Sequence, residues 1–171
     1  MLSPKLQEAL NDQINAEYYS SYLYLSMAAY CERINLRGFA NWFRVQSQEE
    51  MLHVMKFFQY VLDRGGEVKL TAIAAPPTSW ASPRAVFEAA LAHEQHVSAR
   101  INQLVDLAIA ESDHATNALL QWFVNEQVEE EASADAIVQQ LKLAGETPAT
   151  LFLIDRELAQ RVFTPPTPAT E

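Results

Sequence analysis

Apolar residues recur at intervals of three and four along most of the chain, which is the spacing of one helical face. Leu6, Leu10, Ile14, Tyr18, Leu25 and Ala28 mark a first helix over about 5–34. Ser3 and Pro4 stand before it as cap and first-turn proline. Phe39, Phe43, Val54, Phe57 and Val61 mark a second over about 38–64, closed by Gly65-Gly66. Ser82-Pro83 opens a third, carried by Phe87, Leu91, Val97, Ile101, Leu104 and Ala108 as far as the turn at Ser112-Asp113. Leu120, Phe123, Ile137 and Leu141 define a fourth over about 114–144, ended by Gly145. Thr147-Pro148 opens a short fifth over about 148–161, with Leu151, Ile154 and Leu158 on one face.

Between the second and third helices, residues 65–82 show no helical period. A link that long needs a task in a compact domain. Running the length of a bundle is such a task, and it makes the second and third helices parallel, as in ferritin-like bundles. The expected fold is therefore all-α: a four-helix bundle with a long crossover between helices two and three and a short fifth C-terminal helix. Residues 1–163 form one domain, and 164–171 form a Pro/Thr-rich tail.

Each long stripe carries a polar group at its middle. Glu17, Glu50, Glu94 and Gln127 all fall about 11–13 residues after their helix starts, so four packed helices bring them to one level. His53 lies three positions after Glu50 and Glu130 three after Gln127, on the same faces. Ionised carboxylates buried together cost on the order of several kcal/mol each. No Lys or Arg shares these positions, so divalent cations are the natural partners. Carboxylates with one imidazole suit Fe(II), Mn(II) or Zn(II), and a carboxylate bridging two metals suits a redox pair reacting with O₂. Glu17, Glu50 and His53 would hold one metal. Glu50 would bridge to a second held by Glu94 and Glu130, with Gln127 a weak ligand or hydrogen-bond partner.

A net charge of −10 speaks against binding to a phosphate backbone and for cationic partners. The single cysteine, Cys31, cannot form an internal disulfide, and neither a signal peptide nor a membrane-spanning stretch is present, which points to the cytoplasm. A metal-free helical interaction module is the alternative from a different class. It requires the central carboxylates to be solvated.

The chain resembles the bacterial non-haem ferritins, a family of 24-subunit iron-storage shells, over essentially its whole length. The resemblance is carried by Glu17-Tyr18-Tyr19-Ser20-Ser21, Gln48-Glu49-Glu50-Met51-Leu52-His53, Glu94, the run from Leu120 to Glu131, and Phe152-Leu153-Ile154-Asp155-Arg156-Glu157-Leu158. It implies a ferroxidase centre at Glu17, Glu50, His53, Glu94 and Glu130, which oxidises Fe(II) with O₂ or H₂O₂. It also implies Tyr24 beside that centre, as electron donor or as hydrogen-bond partner of a ligand. A third iron site at Glu49, Glu126, Glu129 and Glu130 is implied as well. Glu49 lies about 100° around the helix from Glu50, which gives that site its own face.

Bacterioferritins carry a second Glu-x-x-His where this chain has Gln127-x-x-Glu130, and a haem methionine where Leu52 stands, so no haem is expected. A peroxide-reducing or oxygenase-type diiron enzyme is the alternative within the same superfamily. His93 and His96, beside Glu94, are read as surface or packing residues. Glu111, Asp113 and His114 are either a cation entry channel or a plain polar turn.

Overall fold

The computed structural model describes residues 2–164. Five helices follow in order: α1 (Pro4–Arg33), α2 (Arg37–Asp63), α3 (Pro83–Ala110), α4 (His114–Ala144) and α5 (Pro148–Leu158). No strand occurs among the described residues. Of the tail assigned to 164–171, positions 165–171 lie outside the described residues.

The starts are set by local chemistry. Ser3, Ser82, Asp113 and Thr147 each accept the free amide three positions on, from Leu6 (3.1 Å), Ala85 (3.2 Å), Thr116 (3.0 Å) and Thr150 (3.3 Å). Proline occupies the first turn of α1, α3 and α5, where its missing N–H costs nothing. Gly145 ends α4 at φ 71° and ψ 169°, backbone that a side chain would strain.

α2 is the exception: its cap position is Leu36, which offers no side-chain acceptor. The acceptor comes from α5. Asp155 Oδ1 takes the amides of Gly38 (2.7 Å) and Phe39 (3.1 Å), placing a carboxylate on the positive end of α2. Gly38 permits this approach, since a Cβ there would overlap the Asp155 carbonyl.

α1 packs along α2, α3 along α4, and α1 against α3, while α5 lies on α2. The crossover runs beside α1 and is pinned in sequence order. Asn11 Oδ1 accepts from Lys69 N (2.6 Å), Asn15 Nδ2 donates to Thr71 Oγ1 (2.8 Å), and Trp80 stacks edge-on against Tyr30 at 5.3 Å. Rising partners on α1 matched by rising crossover numbers mean that the link travels the bundle's length. α3 therefore starts at the same end as α2 and runs parallel to it.

The apolar core is in two parts. One, near α5, holds Tyr24, Phe39, Trp42, Phe43 and Phe87; the other holds Leu10, Phe57, Ile101, Leu120 and Phe123. Leu25, which the helical spacing places on the core stripe, is half exposed. Periodicity shows which residues share a face, and nothing among the described residues covers this one fully.

At the α3–α4 turn Asp113 caps α4 and also takes Arg64 in a fork, Nη1 at 3.0 Å and Nη2 at 2.8 Å. The Arg64 hydrogen bonds hold its carboxyl down at about 2. Glu111 accepts from Ser3 Oγ, and His114 is exposed. Asp113→Ala should therefore cost about 1–2 kcal/mol through the lost cap. Because the folded pKa lies below the ordinary value, the stabilisation is complete above about pH 4 and is lost as pH falls through about 2. Melting curves of both proteins should accordingly converge in acid.

Candidate metal centre

A buried polar layer separates the two halves of the core. It consists of Glu17 on α1, Glu50 and His53 on α2, Glu94 on α3, and Gln127 and Glu130 on α4, none of them more than 6% exposed. Glu17, Glu50, Glu94 and Gln127, expected at one level, are all buried, and so are His53 and Glu130 three positions further along their helices.

Glu17, Glu50 and His53 face one another. His53 Nδ1 is 3.3 Å from Glu50 Oε2 and 3.8 Å from Glu17 Oε2. These same three atoms are the buried side-chain polar atoms left without a hydrogen bond among the described residues. Each such orphan costs about 1–3 kcal/mol, so three converging on one point call for a common partner. A cation bound by two carboxylates and an imidazole satisfies all of them at once, and the oxygen and nitrogen donors suit a divalent transition metal. A second group of potential ligands is formed by His53, Glu126 and Glu130, whose donor atoms lie within 4.8 Å of one another.

The remaining donors of the layer are held by neighbours. Tyr24 donates its hydroxyl proton to Glu94 Oε1, and Gln127 Nε2 donates to Glu94 Oε2 at 3.1 Å. Of the two readings of Tyr24, the hydrogen bond to a carboxylate of the layer is thus present. Its ring stacks on Phe43 and meets His93 edge-on at 5.9 Å. His93 bonds Ser20 Oγ at 2.8 Å and packs between α1 and α3, while His96 is exposed. Glu129 is also exposed and belongs to neither ligand group, and Glu49 pairs with Arg161.

Two residues that the pattern reading passed over support the layer. Gln13 Nε2 donates to Glu17 Oε1 at 2.7 Å, and Gln46 Nε2 donates to Glu130 Oε2. Each stands four residues before a carboxylate of the layer, Gln13 before Glu17 and Gln46 before Glu50, which puts it one turn away on the same face. That spacing was the available signal.

Electrostatics express the crowding. Burial pushes Glu50 well above the ordinary carboxylate range, with Glu94 and Glu17 adding to the rise and His53 opposing it. Burial and the charge of Glu94 lift Glu130 to about 8. Burial raises Glu94 too, against its hydrogen bonds from Tyr24 and Gln127. At His53 burial favours the neutral ring, but Glu50 and Glu17 outweigh it and hold the imidazole well above its usual value. Glu17 alone is lowered, because His53 overcomes its burial. Without metal, protons and the imidazolium balance the negative charge. A metal must displace them.

A family model described as "Ferritin-like domain" matches residues 7–144. The bacterial non-heme ferritin of Bacteroides fragilis (strain 638R) is 51% identical over 161 residues, 94% of this chain and 100% of that one. A Staphylococcus saprophyticus protein of the same name is 43% identical over 163 residues, 95% of this chain and 98% of its own. A closed form of the Archaeoglobus fulgidus ferritin, engineered by site-directed mutagenesis, superposes with a TM-score of 0.95 at 56% identity, covering 96% of this chain and 100% of that one. The open-pore ferritin of that archaeon gives 0.94 at 55%, covering 95% and 100%. Since the matched stretch runs through all four long helices and contains every residue of the buried polar layer, the chain belongs to the ferritin-like family.

Proposed function

We propose that this chain is the subunit of an iron-storing ferritin shell that oxidises Fe(II) inside each subunit. The observation that carries the reading is the convergence of Glu17 Oε2, Glu50 Oε2 and His53 Nδ1, buried and otherwise unpartnered. Iron is the substrate. Glu17, Glu50 and His53 take the first Fe(II). Glu50, bridging, with Glu94 and Glu130 takes the second. Gln127, being neutral, orients Glu94 rather than adding charge.

Each Fe(II) gives up one electron, which O₂ or H₂O₂ accepts, and ferric ion leaves for the interior as hydrated oxide. The carboxylates favour Fe(III) because they supply negative charge where positive charge grows. His53 anchors the ferrous ion. Glu126, whose donor atom groups with those of Glu130 and His53, offers the way out of the layer, and Glu49 and Glu129 extend it as a third iron position. Tyr24, hydrogen-bonded to Glu94, orients that ligand.

Assembly is supported by the apolar surface that the subunit leaves open. Tyr22, Leu25, Met51, Met55, Leu70 and Ile73 are exposed on α1, α2 and the crossover, and Phe152 and Leu153 on α5. Faces of this kind bury against further copies, and a closed shell of 24 is the assembly we infer. No helix among the described residues is long and apolar enough to cross a membrane, which fits the cytoplasmic placement we propose.

Metal-free and metal-loaded protein should respond oppositely to pH. Glu50, Glu94 and Glu130 have folded pKa values above their ordinary ones, so their ionisation destabilises the fold as pH climbs from about 5 toward about 8. His53 is raised as well. Its stabilisation is complete below about 6.5 and is lost as pH rises through its folded value. Glu17, lowered, stabilises the fold throughout this range and loses that contribution only as pH falls below the ordinary carboxylate value. The metal-free melting temperature should therefore fall between about pH 6 and 8, whereas Zn(II), redox-inert and bound more tightly as the ligands lose protons, should reverse the slope. Parallel slopes with and without Zn(II) would remove the metal from this layer.

A further inference from the structure

Glu49 precedes Glu50 by one position and so faces away from the layer's centre. Its carboxylate is engaged from the far end of the chain. Arg161 Nη2 donates to Glu49 Oε2 at 2.5 Å, and Nη1 of the same guanidinium donates to Gln46 Oε1 at 2.8 Å. Gln46 in turn donates to Glu130. One arm of the fork thus holds a proposed third-site carboxylate, and the other holds an amide that touches a carboxylate of the buried layer.

The guanidinium is anchored. It lies 4.5 Å over the Trp42 ring, and Asn41 Nδ2 donates to the carbonyl oxygens of Leu158 (3.2 Å) and Arg161 (2.9 Å), fastening the segment after α5 to α2. The paired side chains are only 23% and 26% exposed. Glu126 and Glu130 already group with His53 as potential ligands, and the charge of Glu126 also acts on Glu49. A single cation among these acids, Arg161, pairs with Glu49 where a metal would.

We propose that Arg161 is a positioning residue: a resident cation that holds Glu49 away from the third metal position. An incoming metal must draw Glu49 from Arg161, so the C-terminal segment sets how tightly that position binds. This rests on the diiron reading of the layer.

The test is calorimetric titration of Zn(II) into the metal-free assembled protein, for wild type, Arg161→Met, Arg161→Gln, Glu49→Gln and the double variant Glu49→Gln/Arg161→Gln. Methionine keeps the aliphatic contact with Trp42 and glutamine keeps a donor toward Gln46, so the two changes disturb packing differently while removing the same charge. Both should leave two tight sites within about twofold of wild type and tighten the third about fivefold, the scale of one partly exposed ion pair. The gain should vanish when Glu49 is already Gln. An unchanged third site, or a gain that persists without the Glu49 carboxylate, overturns the proposal. Absence of the two tight sites in wild type overturns the diiron reading instead, and this proposal with it.

Discussion

Replacing Glu50 with alanine will slow the rapid oxidation of Fe(II) in air by at least about a hundredfold, since loss of even an outer partner of a metal site costs about 10–100-fold and Glu50 is the ligand we propose for both ions. The same change should leave the metal-free protein as stable as the wild type or more so. Glu50 is 1% exposed, its Oε2 lacks a hydrogen bond, and burial holds its carboxyl well above the normal range. Removing such a group relieves the cost of its unpartnered oxygen, a cost that metal otherwise relieves, while Glu17 remains as the partner of His53. Opposite signs in the two measurements distinguish a ligand from a packing residue. A residue that merely filled the core would lose stability with its side chain, by about 2–5 kcal/mol for a large apolar one. Stopped-flow oxidation and a melting curve on one preparation give both numbers, with the exposed Glu8→Ala as control. Undiminished oxidation in Glu50→Ala would remove the bridge from the mechanism.

Gly38→Ala is the second large effect, and it lies far from the metal. The new methyl would overlap the Asp155 carbonyl and come within 3.0 Å of the Ala159 amide, and neither backbone group can yield without lifting α5. Lifting it breaks the Asp155 cap on Gly38 and Phe39 and the Asn41 bond to Leu158. Overpacking of about 1–3 kcal/mol plus a lost cap of about 1 kcal/mol gives a loss of about 2–4 kcal/mol. Because α5 carries the exposed Phe152 and Leu153, the particle should also shrink from a shell to small oligomers. Light scattering beside a melting curve checks both. A shell of unchanged size and stability would show that α5 does not depend on this contact.

The helices, the crossover and the polar layer were legible in the sequence for a common reason: each is written in local spacing. Ser3-Pro4, Ser82-Pro83 and Thr147-Pro148 announce helix starts within two residues, and the caps form as those pairs imply. Glu17, Glu50, Glu94 and Gln127 at equal depth in four stripes reach one level because helical rise is constant. What local spacing cannot encode is the contact made across the chain. Asp155 caps a helix 117 positions earlier, and Arg161 reaches Glu49 across 112. Neither residue carries a mark of its target. Leu25 shows the complementary limit, since its spacing is that of a core residue although it is half exposed. Asp113, read as either channel or turn, caps the helix that follows it directly, but nothing near it in sequence announces its fork with Arg64, 49 positions earlier.

Iron should bind where the three unpartnered atoms meet. Crystals of the assembled protein soaked anaerobically in Fe(II), with diffraction recorded on both sides of the iron absorption edge, address it most directly. An anomalous peak bounded by Glu17, Glu50 and His53, with a second toward Glu94 and Glu130, is the expected result. Iron confined to surface carboxylates, with Glu17, Glu50 and His53 unmoved and nothing between them, would contradict it.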